Sequence, residues 1–169
     1  ITGTAAAYAP TSFAATASCV VEGVAVVLPS SGALTMSASG ATPYTARIDG
    51  IPVGSVCEIV ETTTGASATT YSPAGGSGAS LTVAQAASSA VAVPAAQIAT
   101  ITNSYGETSL TVTKGVSTTA TVGEFGPFDF TLACTVNTGT TTLTVPLDAA
   151  DASFTLADGA SHTVTGIPV

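Results

Sequence analysis

Basic side chains are almost absent from this chain of 169 residues. Arg47 and Lys114 are the only two, against ten acidic residues, and the formal net charge is −8. DNA, RNA and anionic membrane surfaces are bound through basic patches, so the sequence argues against all three as partners. Charged residues make up only 7% of the chain, but 46% are hydrophobic, which favours a folded protein over a disordered one.

Long apolar runs are also lacking. No run approaches the roughly 18–20 residues that span a bilayer, and no charged-then-apolar signal peptide opens the chain. We therefore expect a soluble segment without membrane insertion, with any targeting or anchoring sequence outside it.

Side-chain groups that could support catalysis or metal binding are few. His162 is the only histidine, and no G-x-S-x-G elbow accompanies it. The acidic stretch 148–158 lacks the spacing and the distal Glu of a calcium loop. We expect no cofactor, no metal and no enzymatic activity, and we expect His162 to be a surface residue of a strand.

Alternating apolar and polar residues dominate what is present, and helical periodicity is nearly absent. Residues 83–97 are Ala-rich but interrupted by Pro94, so they are interpreted as strand, loop and strand. The pattern predicts an all-β fold of antiparallel strands arranged as a β-sandwich. The predicted strands are 11–21, 44–51, 56–64, 80–86, 96–105, 108–116, 128–136 and 141–147.

Two segments of the chain occur twice. "SFAATASCVV" (12–21) aligns with "PFDFTLACTV" (127–136), and "TARIDGIPV" (45–53) aligns with "HTVTGIPV" (162–169). The repeat predicts two modules, residues 1–106 and 107–169. The second module begins with the strand 108–116, whose counterpart in the first module would lie before Ile1. The second module also stops at a point where the first continues for over fifty residues. We therefore expect a window onto a longer tandem array.

The three cysteines fit the same repeat. A bridge between Cys19 and Cys57 would lie within the first module, and it would imply an oxidising, extracellular setting. Two buried thiols are the alternative. The repeat places the partner of Cys134 four positions beyond Val169, outside the chain.

Three strands carry a family resemblance. "LTVTK" (110–114), "VCEIVET" (56–62) and "ITNSY" (101–105) resemble the first, the Glu-bearing and the last strand of Cna B-type immunoglobulin-like domains. The chain is still more similar to a related domain of unknown function that is repeated in secreted actinobacterial surface proteins. The resemblance implies an intramolecular isopeptide bond between a Lys and an Asn, assisted by a Glu. The matching positions here are Lys114, Asn103 and Glu61.

Strand parity places each of these three polar residues in an otherwise apolar row. Burial would favour a neutral amine and a protonated carboxyl, the states that such a reaction needs. However, Lys114 belongs to the second module and Glu61 and Asn103 to the first, so the remaining partners would lie outside the chain. The alternative is that Lys114 reaches solvent at a strand end, Glu61 is a rim carboxylate and Asn103 caps a turn.

The leading functional expectation is a non-enzymatic structural repeat of an extracellular stalk or fibre on the cell surface or cell wall. Its partners would be neighbouring repeats or copies of the same protein. One alternative is a pilus-like filament subunit completed by strand addition from its neighbours. Another is an adhesin module that binds a host protein or glycan, although the chain lacks Trp and has only four Tyr.

Overall fold

The protein is an antiparallel β-protein, which confirms the predicted all-β class. A computed structural model describes residues 1–37, 44–62, 65–83, 97–117, 119, 126–138 and 141–169. Within these residues all pairing between strands is antiparallel. Contacts divide the chain into a first unit (Ile1–Thr2 and Pro10–Ser104) and a second unit (Gly3–Ala9 and Tyr105–Val169).

The first unit contains two sheets. Its strands are β1 (Ser12–Val21), β2 (Val24–Ala25), β3 (Ala33–Ser37), β4 (Val56–Glu61), β5 (Ala68–Ser72), β6 (Ala79–Thr82) and β7 (Thr100–Ser104). In the larger sheet β1 is central: one side of it pairs with β4, and the other side pairs with both β2 and β3. β6 pairs with the far side of β4. The smaller sheet pairs β5 with β7. A short 3-10 turn, Pro29–Gly32, leads into β3.

The core of the first unit is built largely from small side chains. Every second residue of β1 from Phe13 to Cys19 is buried, as the period of two along a strand requires. Ala17, Cys19, Leu28, Cys57 and Val83 form its central cluster. Cys19 and Cys57 are exposed by only 3% and 2%, so both sulfur-bearing side chains lie within this cluster.

The part of the second unit that the structure describes contains three strand pairs. Its elements are the 3-10 turn Ala6–Tyr8, β8 (Glu107–Thr113), β9 (Phe128–Thr131), β10 (Cys134–Asn137), β11 (Thr142–Val145), the single turn α1 (Ala149–Ala152), β12 (Ser153–Leu156) and β13 (Ser161–Pro168). β8 pairs with β13, β9 with β12 and β10 with β11. Among its described residues, the buried aliphatic ones are Ala5, Val145, Leu156 and Val164.

The strand prediction for residues 44–51 is wrong, since residues 44–50 have no regular structure. Ile48 and Ile51 still pack against the core, but a strand also needs a partner for its backbone groups. The repeat-related β13 has such a partner in β8, whereas no described strand of the first unit pairs with residues 44–51. The segment thus keeps the apolar contacts that its alternation predicts but forms no ladder with any described strand.

Other boundaries shift. The predicted strand 128–136 is two strands, because Leu132 and Ala133 separate β9 from β10. The interpretation of residues 83–97 as strand, loop and strand falls mostly on 84–96, which lie outside the described residues. β2, β3, β5 and β12 were not predicted from the sequence. Among the described residues, none of the helices has the length and apolar character needed to cross a bilayer.

Candidate functional site

Glu61 and Asn103 meet in the interior of the first unit. Glu61 is the last residue of β4 in the larger sheet, and Asn103 lies on β7 in the smaller one. The Asn103 side-chain amide Nδ2 donates a hydrogen bond of 2.9 Å to Glu61 Oε1. Both residues are buried, with exposures of 8% for Glu61 and 4% for Asn103. A buried polar contact therefore bridges the two sheets, and neither the rim carboxylate nor the turn cap considered above describes these residues.

Thr69 completes the bridge. It lies on β5 directly opposite Asn103 in the β5–β7 ladder. Its hydroxyl donates to Asn103 Oδ1 over 2.9 Å. The Asn103 amide is thus held at both ends, because its nitrogen donates to Glu61 and its oxygen accepts from Thr69. This fixes the orientation of the amide plane between the sheets.

The second carboxyl oxygen of Glu61, Oε2, is buried and has no hydrogen-bond partner among the described residues. Leaving a buried polar atom unpaired costs free energy, and the cost is larger when the group is charged. Accordingly, burial raises the pKa of the Glu61 carboxyl above its ordinary value of 4.5, and the hydrogen bond from Asn103 lowers it by less. The folded protein therefore retains the neutral acid to a higher pH than an unfolded chain does.

The first unit should lose stability as the pH rises above 4.5 toward neutral. Below 4.5 the Glu61 carboxyl is protonated in both states. Above it the unfolded chain releases the proton while the folded state retains it, so the free energy of unfolding falls until the pH passes the raised pKa. The Glu61→Gln variant, which cannot ionise, should lack this fall. Urea unfolding at a series of pH values, followed by hydrogen exchange of β4 amides, measures it.

Glu58→Gln is the matched control on the same strand. Hydrogen bonds from the backbone N–H of Ser77 and, to a smaller extent, from its hydroxyl lower the pKa of Glu58, so the change in stability that its titration causes lies below pH 4.5. The free energy of unfolding of Glu58→Gln should therefore still fall as the pH rises above 4.5. A decline that persists in Glu61→Gln would assign the pH dependence to another group.

Cys19 and Cys57 are joined by a disulfide. The two residues lie directly opposite each other on β1 and β4, with their Cα atoms 4.1 Å apart. The bond therefore links neighbouring strands of one sheet, unlike the bridge between sheets in immunoglobulin domains. It lies on the same strand and the same core-facing side as Glu61, four residues before it. A covalent link and a buried polar bridge thus both act on β4.

Lys114, the lysine that the resemblance singles out, lies in the second unit. Its ammonium nitrogen donates to the Gly115 carbonyl at 2.9 Å and lies 4.6 Å from the centroid of the Phe128 ring. The residue is half-buried. Of the three residues in the predicted site, the structure therefore brings together Glu61 and Asn103, while the described contacts of Lys114 lie within the second unit.

The remaining candidates of the sequence lie in the second unit. Cys134 is a free, half-buried thiol on β10. His162 lies on β13, as predicted, but it is half-buried: its Nε2 lies 2.8 Å from Asp151 Oδ1 and its ring stacks on Phe154. Phe154 in turn stacks on Phe130 of the paired strand. The sequence did not reveal this row, because it depends on the pairing of β12 with β9. No group of three or more potential metal ligands occurs among the described residues.

Both units are thus antiparallel β-folds, and the first has the two facing sheets of a sandwich. The chain belongs to the family described as "Domain of unknown function (DUF5979)", whose model matches residues 1–106 and 110–169. No curated protein matches the chain, and no solved structure does.

Proposed function

We propose that the chain forms structural repeat modules of an extracellular cell-surface stalk or fibre, related to Cna B-type domains and of the kind repeated in secreted actinobacterial surface proteins. The modules would resist unfolding through cross-links and would not turn over a substrate. The observation that carries the proposal is the buried Glu61–Asn103 bridge between the two sheets. The buried disulfide supports the extracellular setting, since disulfides persist in oxidising compartments.

The geometry of the bridge suits an isopeptide reaction with a lysine amine. The amine nitrogen would attack Cγ of Asn103, a bond would form between them, and the Cγ–Nδ2 bond would break to release ammonia. Thr69, which donates to Oδ1, would stabilise the negative charge that develops on that oxygen. Fixed positions of the reacting groups would supply the effective concentration that the uncatalysed reaction lacks.

Glu61 would move the protons. Its Oε1 lies 2.9 Å from Nδ2, the nitrogen that leaves, so the neutral carboxyl can protonate it. Before the attack Oε1 accepts from Nδ2, so the neutral acid would carry its proton on Oε2, which has no partner among the described residues. A turn of the carboxyl would bring that proton to Nδ2 once the attack has freed the lone pair of this nitrogen, and the carboxylate left behind would accept the proton that the attacking amine gives up. The raised pKa of Glu61 maintains the neutral acid that this sequence of transfers requires. The reaction would occur once per module and would be self-directed.

The lysine would come from a strand beside β7. Thr2 already forms a parallel bridge with Ser104, and its N–H donates to the Asn103 carbonyl, so a parallel segment can pair along this edge. The stretch "LTVTK" of β8 and Lys114 shows the kind of strand that would deliver the amine. Such a strand would place its lysine near the unpaired oxygen of Glu61.

Intact mass of the natural full-length protein tests the proposal. We expect a deficit of one ammonia for each bond formed, with a peptide in which Asn103 is joined to a lysine. Glu61→Ala and Asn103→Ala should each restore that ammonia at this site. The 169-residue chain, whose single lysine contacts Phe128 in the second unit, is the control and should show its sequence mass less only the two hydrogens lost in the Cys19–Cys57 disulfide. A full-length protein with neither a deficit nor a cross-linked peptide would refute the isopeptide.

A further inference from the structure

The two units share an element that is paired differently in each. The repeat aligns β1 of the first unit with β9 and β10 of the second and places Cys134 at the position of Cys19, since 134 − 19 = 115. β1 has neighbours on both edges, namely β4 on one and β2 with β3 on the other. Among the described residues, β9 pairs only with β12, and β10 pairs only with β11.

Hydrogen bonds show which edge of β9 and β10 lacks a partner. In β1, Cys19 uses its carbonyl toward the β2 side, where it accepts from the Val26 N–H. In the second unit the backbone N–H groups of the even-numbered residues Leu132 and Thr138 donate to the carbonyls of Ala152 and Thr141, which lie directly before β12 and β11. Odd-numbered residues of β1 thus bond toward β2 and β3. Because the repeat offset of 115 is odd, they correspond to even-numbered residues of β9 and β10, which bond toward β12 and β11. β11 and β12 therefore occupy the edge that corresponds to the one with β2 and β3.

The other edge of β9 and β10 is therefore the one that β4 occupies in the first unit. Backbone groups of the odd-numbered positions 129, 131, 133 and 135 point toward it, because alternate residues of an antiparallel strand bond to opposite sides. No described strand pairs there. Such an edge is a template for strand addition.

We propose that this edge, called the β9–β10 edge below, binds an antiparallel extended strand with the residue pattern of β4, whose cysteine pairs with Cys134. In the first unit Cys57 lies opposite Cys19, and Glu61 lies opposite Ala15. Transfer of this register places the incoming cysteine opposite Cys134. The residue four positions after it then lies opposite Phe130, which occupies the place of Ala15.

The difference in burial between β1 and its counterparts in the second unit supports a strand of the β4 type as the partner of the β9–β10 edge. The equivalent core-facing residues Phe13, Ala17 and Cys19 of β1 are buried, with exposures of 3–5%. Phe128, Leu132 and Cys134, their counterparts in the second unit, are only half-buried. An added strand of the β4 type would cover this side with alternating apolar side chains, as β4 does in the first unit.

The covalent step is a thiol–disulfide exchange. The Cys134 thiolate attacks the cysteine sulfur of a strand that carries a glutathione mixed disulfide. A sulfur–sulfur bond forms between Cys134 and the strand, the bond to glutathione breaks, and the glutathione thiolate takes up the proton lost by Cys134. No net oxidation is needed. The inference does not depend on the isopeptide, because it involves another unit and other residues.

A peptide with the sequence of residues 53–62, "VGSVCEIVET", is the probe, supplied as its glutathione mixed disulfide. The control peptide exchanges the Val and Cys letters at the fourth and fifth positions, which moves the sulfur to the opposite face of the strand. We expect transfer of the first peptide to Cys134 about tenfold faster than transfer of the control, since strand pairing raises the local thiol concentration. Mass spectrometry of the intact chain follows both reactions.

A second measurement separates strand binding from thiol reactivity. Cys134→Ser with a Cys→Ser version of the peptide should still show binding, seen as slower hydrogen exchange at the amides of 129, 131, 133 and 135. Equal transfer rates for the two peptides would overturn the proposal, and so would unchanged exchange at these amides. Preferential formation of dimers linked through Cys134 of two copies would also overturn it, since Cys134 would then be merely an accessible thiol.

Discussion

Replacing Cys19 and Cys57 together with Ala is expected to lower the free energy of unfolding of the first unit by at least about 4 kcal/mol. The two residues are 38 positions apart. Closing a loop of this length restricts the unfolded chain, and the chain-entropy model converts the restriction into about 4 kcal/mol of stability. Because Cys19 and Cys57 also fill the centre of a core of small side chains, the replacement adds the loss of their packing to this value.

Urea unfolding, followed by hydrogen exchange of β1 and β4 amides, measures the change. The reduced wild-type chain retains both sulfur atoms and isolates the effect of the cross-link from that of packing. Cys134→Ser removes the thiol of the second unit and should change the stability of the first by less than about 0.5 kcal/mol. A loss below about 1 kcal/mol in both the reduced chain and the double variant would contradict the prediction.

Asn103→Ala should destabilise the first unit by about 2 kcal/mol. The substitution removes the donor to Glu61 Oε1 and the acceptor for the Thr69 hydroxyl at once. Glu61 Oε1 would then be left unpaired in the interior, at a typical cost of about 1–3 kcal/mol, while the half-buried Thr69 hydroxyl would lose its acceptor. The free energy of unfolding of the first unit from urea titrations gives the value.

The double variant Glu61→Met with Asn103→Leu sharpens this prediction. When both partners of a buried hydrogen bond become apolar, little unpaired polarity remains, so the double variant should be more stable than the sum of the two single changes predicts. Thr102→Ser, on the neighbouring position of β7 with the opposite orientation, should cost less than about 0.5 kcal/mol. Strict additivity of the two changes would mean that Glu61 and Asn103 do not interact in the folded protein.

The inward orientation of Glu61 and Asn103 could be predicted from the sequence, because it depends only on the alternation of side chains along a strand. Cys57, Ile59 and Glu61 alternate, and so do Ile101 and Asn103, so burial of the apolar members implied that the polar members face inward. That inference needs only the period of a strand. It was sufficient to place Glu61 and Asn103 on core-facing rows before their contact was known.

Thr69 could not be found in the same way. It is one of several threonines in a polar stretch, and only the pairing of β5 with β7 brings it opposite Asn103. The failed strand at 44–51 has the same cause, because alternation describes the residues of one segment and says nothing about whether another strand lies beside it. Features that depend on pairing between distant segments therefore had to come from the structure.

The position of the disulfide also affects how the first unit folds. A slip of one residue between β1 and β4 would turn Glu61 outward, away from Asn103, and would turn Cys57 to the face opposite Cys19. Both errors come from the same misalignment, so a chain that has joined Cys19 to Cys57 has also excluded it. We therefore expect oxidation to select against slipped pairings of β1 and β4, since Cys19 and Cys57 lie directly opposite each other only in this register.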